Sequence, residues 1–300
     1  MPGTAPALGR ITSAEIASQP GSWIRAQAQS RSGPGGLPEA GEKVLVLGCG
    51  TSYYVAAAYA WLREQRGHGP TDAVIASELP EVLRPYDRVV AISRSGTTTE
   101  VHRALRRLGD DTPITAVLGA LDTPIASLAT DIVDLSYADE RSVVQTRFPT
   151  TLLALLRAQL GARAQAELVD SGERAVNAEV TETLPRQLVV LASGWAAALA
   201  QEAALKCRES AGMWAEAYAT GEYRHGPISV AGPDTLVWAM TPLSAVEITA
   251  IEATGARVHH GGTEPLAELV LLQRHAVAWA ASVGRDADLP VHLTRSVVAL

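Results

Sequence analysis

Cysteine is scarce in this chain, and its scarcity excludes two common ways of holding a protein together. The only cysteines are Cys49 and Cys207, without the C-x-x-C spacing of a zinc site. We therefore expect neither a disulfide framework nor a zinc cluster, and a reducing, cytoplasmic location is favoured. His259 and His260 also lack suitably spaced carboxylates or cysteines, so we interpret them as a strand-end pair and predict no metal ion.

Long apolar runs and an excess of positive charge are also missing. No stretch approaches the roughly 18 apolar residues of a membrane span, and the segment from Met1 to Pro20 lacks the basic and apolar regions of a secretion signal. The formal net charge is -7 at pH 7, whereas a phosphate backbone is bound by a basic face. We therefore expect neither a membrane nor a nucleic acid as a partner.

Two familiar nucleotide-binding motifs are absent as well. Neither G-x-G-x-x-G nor G-x-x-x-x-G-K-[ST] occurs in the sequence. Their absence counts against a dinucleotide or a nucleoside triphosphate, and we predict no cofactor. A smaller phosphoester remains as a candidate ligand, held locally rather than by a large basic surface.

Lysine is nearly absent, although lysine and arginine together number 25. The two lysines are Lys43 and Lys206, so arginine supplies the positive charge almost everywhere else. Arginine carries a planar guanidinium that stays protonated, whereas lysine is a compact ammonium whose charge state burial can tune. We therefore expect Lys206, which lies among other reactive residues, to be required as a lysine.

What the chain does contain is a regular alternation of short apolar runs and helical segments. Apolar residues make up 47% and charged residues 19%, which indicates a globular protein with a well-buried interior. Strands are predicted at 44–47, 72–76, 88–92, 114–118, 132–135, 187–192, 236–240 and 256–260. Helices are predicted at 53–66, 101–108, 196–210 and 266–282, and in the later part of 140–159. This alternation predicts an α/β fold with parallel, doubly wound sheets.

The second half of the chain looks like a diverged copy of the first, which predicts two domains that meet near Gly161. The first domain covers 1–160 and includes N-terminal helices within 11–30, which Pro20 is expected to separate. The second domain covers 161–300 and ends in a C-terminal tail.

Two loops rich in hydroxyl groups follow strands of the first half. Residues 48–52 read GCGTS, and residues 93–100 read SRSGTTTE. Both come directly before a predicted helix, where free backbone amides and the helix dipole favour an anion. In a doubly wound sheet, ligands lie beyond the carboxyl ends of the strands, which is where both loops are expected. The loops therefore predict a site for a small phosphate group, while simple helix capping by the same side chains stays an open alternative.

One helix and the loop after it concentrate reactive side chains in an otherwise alanine-rich sequence. Residues 196–210 contain no glycine or proline and should form a helix, on which the spacing of Glu202, Lys206 and Glu209 defines one face. The loop beyond the helix holds His225 between glycine and proline residues and is expected to aim it inward. A base, an ammonium and an imidazole are thus predicted to converge, although a solvated face of salt bridges is the alternative that the spacing leaves open.

Taken together, these segments resemble the sugar isomerase (SIS) domain family, in particular the double-SIS isomerase half of glucosamine-6-phosphate synthase and its free-standing relatives. The similarity spans nearly the whole chain. It rests on 15–20, which is like the family's N-terminal helix, on 48–52 and 93–98, which are like its sugar and phosphate loops, and on 203–209, 215–218 and 221–227, which are like its catalytic segment. The resemblance implies two SIS-type α/β subdomains, each with three layers in the order helix, sheet, helix.

The resemblance also implies roles for individual residues. Glu209 would be the base that moves a proton between C1 and C2 of a sugar phosphate, His225 would assist ring opening from the neighbouring subunit, and Lys206 would assist near the anionic intermediate. Enolisation needs such a carboxylate and such a cation. The implied partners are a hexose or hexosamine 6-phosphate and a second copy of the chain in a homodimer with shared sites. The residues expected to bind the substrate or its phosphate are Cys49, Gly50, Thr51, Ser52, Ser93, Arg94, Ser95, Gly96, Thr98 and Gln145.

Three features depart from the synthase pattern. Arg295, in a tail that resembles the synthase tail, stands where the family has a lysine that forms an imine with the ketose, and a guanidinium cannot form one. Gln145 stands where the synthase has a serine that touches the substrate, which indicates a changed specificity. The chain begins Met1-Pro2, without a cysteine nucleophile or a glutamine-hydrolysing half, so glutamine-dependent synthesis is not expected.

Two functions remain open at this point. The first is a phosphosugar aldose-ketose isomerase or amino-sugar-phosphate deaminase that acts by enolisation, which the joint presence of Glu209, Lys206 and His225 favours. The alternative is a non-catalytic phosphosugar-binding sensor or partner subunit, which the arginine at position 295 favours. A DNA-binding regulator would need a helix-turn-helix ahead of the domain, and the residues before the first strand leave no room for one.

Overall fold

Two compact units make up the part of the chain that the structure describes. The computed structural model describes residues 7–33, 35–109, 111–161 and 165–296. The first unit consists of the described residues of 19–140 and 147–169 together with 295–296, and the second consists of 7–18, 141–146 and 170–294. The domain border near Gly161 stays a prediction.

A five-stranded parallel sheet forms the centre of the first unit. Its strands are β1 Val44–Gly48, β2 Thr71–Ile75, β3 Arg88–Ser93, β4 Ile114–Leu118 and β5 Asp131–Asp134. They lie in the order β2-β1-β3-β4-β5, and the first residue of β1 is opposite the first residues of both β2 and β3. All residues of β1 and β4 are buried, as expected of parallel strands covered on both faces. The helices of this unit are α2 Gln19–Arg31, α3 Thr51–Gln65, α4 Thr99–Leu108 and α5 Arg147–Gln159.

A four-stranded parallel sheet forms the centre of the second unit. Its strands are β6 Gln187–Ala192, β7 Trp214–Ala219, β8 Thr235–Ala239 and β9 Arg257–His260, in the order β7-β6-β8-β9. This order repeats that of β2-β1-β3-β4 in the first sheet. The helices here are α1 Arg10–Ala17, most of α6 Gln165–Asn177, α7 Ala196–Ala211, α8 Thr220–Tyr223, α9 Ala245–Glu252 and α10 Pro265–Ser282. The two parallel sheets with flanking helices confirm the predicted α/β fold.

Apolar side chains of strands and helices form a core within each unit. In the first unit, Leu45 and Leu47 of β1 share a buried cluster with Val101 and Leu105 of α4. In the second unit, strands β6 and β8 share a cluster with Ile251 of α9. This packing fixes the strands, and therefore also the loops at their ends. Within the described ranges, every helix is too short or too polar to cross a membrane.

Pro20 lies inside a helix rather than between two, so the prediction that it separates them was wrong. Helix α1 ends at Ala17, and α2 begins at Gln19 with Pro20 as its second residue. The first N–H groups of a helix have no partner within it, so a proline in the first turn removes no hydrogen bond. The break falls at Ser18, whose hydroxyl donates to the carbonyl of Glu15 at 2.7 Å.

Strand β7 and helix α9 were not predicted. The sequence of β7 is WAEAYA, in which alanine and glutamate are weak strand formers, and the strand forms because it pairs with β6 along its whole length. Helix α9 does carry a signal in the sequence, a Ser-x-x-Glu capping box. Ser244 Oγ accepts from the N–H of Glu247 at 3.3 Å, and Glu247 Oε2 accepts from the N–H of Ser244 at 2.7 Å. Strand β7 therefore forms because of its pairing with β6, whereas the start of α9 is determined by a local sequence motif.

Candidate active site

Two loops lie at the carboxyl-terminal edge of the first sheet. Strand β1 ends at Gly48 and leads into α3, and β3 ends at Ser93 and leads into α4. Because β1 and β3 are adjacent and parallel, both loops begin at the same edge, as the sequence predicted. Sheets of this type bind their ligands at that edge.

The loop between β3 and α4 is folded around its own hydroxyl groups. Ser93 Oγ accepts from the N–H of Gly96 at 3.1 Å and lies 3.0 Å from Thr98 Oγ1. Ser95 Oγ accepts from the N–H of Thr97 at 3.2 Å and from its hydroxyl at 3.0 Å. Thr98 precedes α4 but makes no capping bond with its side chain, so capping alone does not account for the loop. The hydroxyls are instead gathered ahead of the helix amides, an arrangement suited to an anion.

Gly96 shapes this loop because no other residue fits at its position. Its φ is 65°, in the left-handed region. A Cβ at Gly96 would lie 2.2 Å from Thr123 Oγ1. The carbonyl of Gly96 accepts a hydrogen bond from the N–H of Ile125 at 3.1 Å. The close approach holds the backbone of the loop against a neighbouring turn.

The loop between β1 and α3 places small residues at the start of that helix. Gly50, with a φ of 52°, directly precedes α3, whose first residues Thr51 and Ser52 are buried. Burial raises the pKa of the half-buried Cys49 thiol, and the negative charge of Glu100 raises it further. The Cys49 thiol therefore stays protonated at neutral pH and is a poor nucleophile.

Arg94, which lies in the loop between β3 and α4, contacts the C-terminal tail. The guanidinium is buried, and its Nη2 donates to the carbonyl of Arg295 at 3.3 Å. Its own carbonyl accepts from the N–H groups of Gly119 and Ala120 at 3.0 and 3.1 Å. Arg295 itself is ion-paired, with Nη2 at 2.6 Å from both carboxylate oxygens of Asp139.

Helix α7 carries the predicted reactive face in the second unit. Its sequence is rich in alanine, leucine and other good helix formers. The helix is followed by Gly212 in the left-handed conformation, whose N–H donates to the carbonyl of Arg208 at 3.0 Å. Lys206 Nζ lies 2.6 Å from Glu209 Oε2 and 3.4 Å from Glu202 Oε1. The three side chains therefore do meet on one face.

This ionic cluster is buried, so the alternative of a solvated salt-bridge face is wrong. The side chains of Lys206 and Glu202 are 1% and 0% exposed, and that of Glu209 is 18% exposed. Removing two carboxylates and an ammonium from water is expensive, and apolar residues would often stabilise the fold as well or better. Such an arrangement is therefore more typical of a functional site than of a stabilising device. Glu209 is the member of the cluster that a ligand can reach.

His225 is exposed and is not part of that buried cluster, so the expectation that its loop aims it inward was wrong for the single chain. It follows the short helix α8, and its N–H donates to the carbonyl of Glu222 at 2.9 Å. Gly226, with a φ of 149°, then lets the chain turn before Pro227. Glycine and proline predict the turn correctly, but they do not determine which way the residue between them points.

Gln145 presents a polar atom without a partner inside the second unit. Among the described residues, its buried Oε1 has no hydrogen-bond partner. The segment around it is held by Glu15, whose Oε1 accepts from the N–H of Arg141 at 2.6 Å, and by Ser142, whose hydroxyl lies 3.1 Å from that of Thr12. A fixed segment with an open acceptor is suited to receive a donor from a ligand.

Two residues near these groups were not predicted as part of a site. Glu202 was placed on the right helix face, but nothing in the spacing indicated that it would be buried beside Lys206. Asp139 follows the end of β5 and pairs with Arg295, which lies far away in the sequence. The signal for Asp139 is its position in the segment that follows the parallel strand β5, beyond whose carboxyl end functional side chains often lie.

Among the comparisons with known proteins, the match to a family model falls mainly in the first unit. Residues 37–158 match the model of the SIS domain family, and this range contains β1 to β5 and both hydroxyl-rich loops. This part of the chain is therefore similar to a SIS domain. The match confirms the resemblance found in the sequence. Lys206, Glu209 and His225 lie beyond the matched SIS range.

Relatives in sequence are larger proteins. The isomerizing glutamine-fructose-6-phosphate aminotransferase of Caulobacter vibrioides is 28% identical over an alignment of 251 residues, which covers 72% of this chain and 41% of that protein. The enzyme of the same name from Methanothermobacter thermautotrophicus is 28% identical over 247 residues, with the same coverage of 72% and 41%. The chain thus spans less than half the length of these relatives, and its similarity to them extends beyond the matched SIS range.

Solved structures with the same fold cover nearly the whole chain. Glucosamine-6-phosphate deaminase of Thermotoga maritima superposes with a TM-score of 0.76 at 23% identity, over 95% of this chain and 99% of that one. Tagatose-6-phosphate ketose/aldose isomerase of Escherichia coli has a TM-score of 0.74 at 18% identity, over 97% and 99%. At these identities the likeness concerns the fold, and it shows that the α/β architecture shared with these structures covers nearly the whole chain.

Proposed function

We propose that the protein is a phosphosugar aldose-ketose isomerase or an amino-sugar-phosphate deaminase that acts by enolisation. The observation that carries the proposal is the buried ammonium of Lys206, held between Glu202 and the more accessible Glu209. A carboxylate beside a fixed cation is what proton transfer next to a carbonyl group requires.

The substrate we propose is a hexose or hexosamine 6-phosphate. The hydroxyl cluster of Ser93, Ser95 and Thr98 ahead of α4 is a suitable cradle for the phosphate, with Thr51 and Ser52 at the same sheet edge. Support also comes from the names of the similar proteins, which refer to fructose 6-phosphate, glucosamine 6-phosphate and tagatose 6-phosphate. The open acceptor of Gln145 suits a hydroxyl or ammonium group of the sugar.

In the proposed reaction Glu209 transfers one proton between two carbons. Glu209 removes the hydrogen from C2 of the open-chain aldose, the C–H electrons form the C1–C2 double bond, and the carbonyl oxygen at C1 takes up negative charge beside Lys206. A proton then passes from the C2 hydroxyl to the C1 oxygen, and return of the first proton to C1 yields the ketose. With an amine at C2, the same steps give an imine at C2, and addition of water followed by loss of ammonia gives the ketose phosphate.

His225 has a proposed role in opening the sugar ring, and we assign it to the site of a partner subunit in a homodimer. An imidazole can donate and accept protons near neutral pH, as ring opening requires. Its exposure in the single chain is compatible with insertion into a second copy. The two free cysteines, Cys49 and Cys207, suit a cytoplasmic location, which we also propose.

A non-catalytic phosphosugar-binding module is the second candidate. The ion pair of Arg295 with Asp139 favours it, because no amine is present at that tail position to react with a carbonyl group. Both candidates share the phosphate cradle, and they differ in whether Glu209 transfers a proton.

Changing Ser95 to alanine is expected to weaken the binding of a hexose 6-phosphate. Loss of one hydrogen bond to a charged group costs about 1.5–3 kcal/mol, so the affinity should fall roughly tenfold or more. Isothermal titration calorimetry with fructose 6-phosphate measures the effect. Ser32→Ala is the matched control, because that hydroxyl is exposed in the same unit and only donates to the carbonyl of Gln29. Equal affinity in Ser95→Ala and wild type would place the phosphate elsewhere.

The proposed function is tested by a panel of hexose and hexosamine 6-phosphates. Each sugar phosphate is incubated with the purified protein and assayed for a new ketose or aldose phosphate and for ammonia. Ammonia together with a ketose phosphate identifies a deaminase, and a new sugar phosphate without ammonia identifies an isomerase. Binding without either product supports the second candidate.

A further inference from the structure

The two described residues at the end of the tail lie against the phosphate loop of the first unit. The carbonyl of Arg295 accepts from Nη2 of the buried Arg94 at 3.3 Å. The hydroxyl of Ser296 is hydrogen-bonded to that of Thr97, which in turn donates to Ser95 Oγ at 3.0 Å. The tail is therefore connected, through two different bonds, to the loop that holds the proposed phosphate cradle.

Asp139 supplies the counterion for this tail from a fixed backbone. Its N–H donates to the carbonyl of Ser136 at 3.1 Å, and its carbonyl accepts from the guanidinium of Arg147. The next residue, Glu140, accepts from the N–H groups of Arg147 and Phe148 at 2.8 and 3.1 Å, at the start of α5. The carboxylate of Asp139 is thus held in place by the first unit, and the guanidinium of Arg295 binds to it.

The ion pair between Asp139 and Arg295 is better suited to fixing the position of the tail than to stabilising the fold. Arg295 Nη2 lies 2.6 Å from both oxygens of Asp139, and the two side chains are 41% and 29% exposed. Pairs with this much contact to solvent contribute little to the free energy of unfolding, typically about 0–1 kcal/mol. A short, charge-assisted contact nevertheless fixes where the tail lies.

We propose that Asp139 and Arg295 form a positioning pair that holds the tail on the phosphate loop and thereby keeps the loop in its binding-competent shape. The proposal rests on the proposed function, since it takes the loop to be the phosphate site. It assigns Asp139 a role in substrate affinity, although Asp139 does not touch the cradle. It also gives Arg295 a role that needs positive charge and not a reactive amine.

Two measurements test the pair, and the first needs no ligand. Trypsin cleaves after Arg295 only when the guanidinium leaves Asp139 and enters the protease, so the rate of cleavage at this bond reports on the pair. Asp139→Asn should speed this cleavage on the order of fivefold, because an amide is a weaker partner than a carboxylate. Asp131→Asn is the matched control, since Asp131 also pairs with an arginine, Arg88 at 3.2 Å, but at the opposite edge of the same sheet.

The second measurement is the affinity for fructose 6-phosphate by calorimetry. Asp139→Asn and Arg295→Gln should each lower this affinity roughly three- to tenfold. Because both changes break the same contact, the double variant should bind as well as the single variant that has the lower affinity. Arg295→Lys keeps a positive charge and should bind within about twofold of wild type, while Asp131→Asn should bind as wild type does. The midpoint of thermal unfolding should change little in all of these variants.

The outcomes separate this inference from the proposed function. Faster cleavage together with weaker binding in Asp139→Asn supports the positioning pair. Wild-type binding in Asp139→Asn and Arg295→Gln overturns it, whatever the cleavage rate. Unchanged cleavage in Asp139→Asn also overturns it, because the pair then does not hold the tail. If the wild-type protein binds no hexose 6-phosphate, the proposed function falls, and the cleavage measurement still decides whether Asp139 holds the tail.

Discussion

Replacing Glu209 with glutamine is expected to lower the turnover of the hexose or hexosamine 6-phosphate substrate about 10²- to 10⁴-fold, the usual effect of losing a general base. The amide keeps the shape of the side chain but cannot accept the proton from carbon. The fold should persist, because Lys206 keeps Glu202 as a partner at 3.4 Å. Turnover is measured by the appearance of product, and affinity for the same sugar phosphate is measured by calorimetry.

The control for this prediction is Glu252→Gln. Glu252 is exposed at the end of α9, and its replacement should change neither turnover nor affinity. A loss of turnover well under tenfold in Glu209→Gln, with affinity unchanged, would show that Glu209 is not the base. A loss of turnover with an equal loss of affinity would instead indicate that the side chain only shapes the site.

A mixture of two inactive variants is expected to recover activity if the sites are shared between subunits. Glu209→Ala and His225→Ala should each be nearly inactive as homodimers. In an equal mixture, half of the dimers are heterodimers, and each has one intact site of two, so about a quarter of wild-type activity should return. The variants are co-expressed with different affinity tags, and the heterodimer is purified. With one intact site of two, its turnover per dimer should be about half that of the wild type, and it is compared with that of each parent.

The control mixture combines Glu209→Ala with Lys206→Ala. Both residues lie on the same helix, α7, and so belong to the same subunit's half of a site. No heterodimer of these two variants contains an intact site, and no activity should return. If the mixture of Glu209→Ala with His225→Ala also stays inactive, His225 does not come from the partner subunit.

Most of the fold could be predicted from local patterns in the sequence. Apolar runs such as 44–47 and 114–118 gave nearly the observed strands, because parallel strands buried on both faces are continuously apolar. Strand β7 was missed because its alanine and glutamate residues favour no strand, and only its pairing with β6 creates one. The position of Pro20 was misjudged because a proline is read as a break, although it is also tolerated in the first turn.

The site was predicted in part, and the limits have physical reasons. The spacing of Glu202, Lys206 and Glu209 predicts a shared helix face, but it does not reveal whether that face meets water or the interior. The rarity of lysine was the better signal, since a protein that uses arginine elsewhere has a chemical reason for one buried lysine. The contact between Asp139 and Arg295 joins residues 156 positions apart, and no local pattern indicates it.

Incorporation of deuterium into a sugar phosphate tests the central claim of enolisation at Glu209 most directly. The wild-type protein and Glu209→Gln are incubated in D₂O with fructose, glucose, glucosamine and tagatose 6-phosphates, and the hydrogens on C1 and C2 are followed by NMR. We expect exchange at C1 or C2 of at least one sugar phosphate in the wild type, and its loss in Glu209→Gln, which should still bind that ligand. Binding without exchange in the wild type would contradict the account and favour a binding module, and equal exchange in both proteins would contradict the role of Glu209.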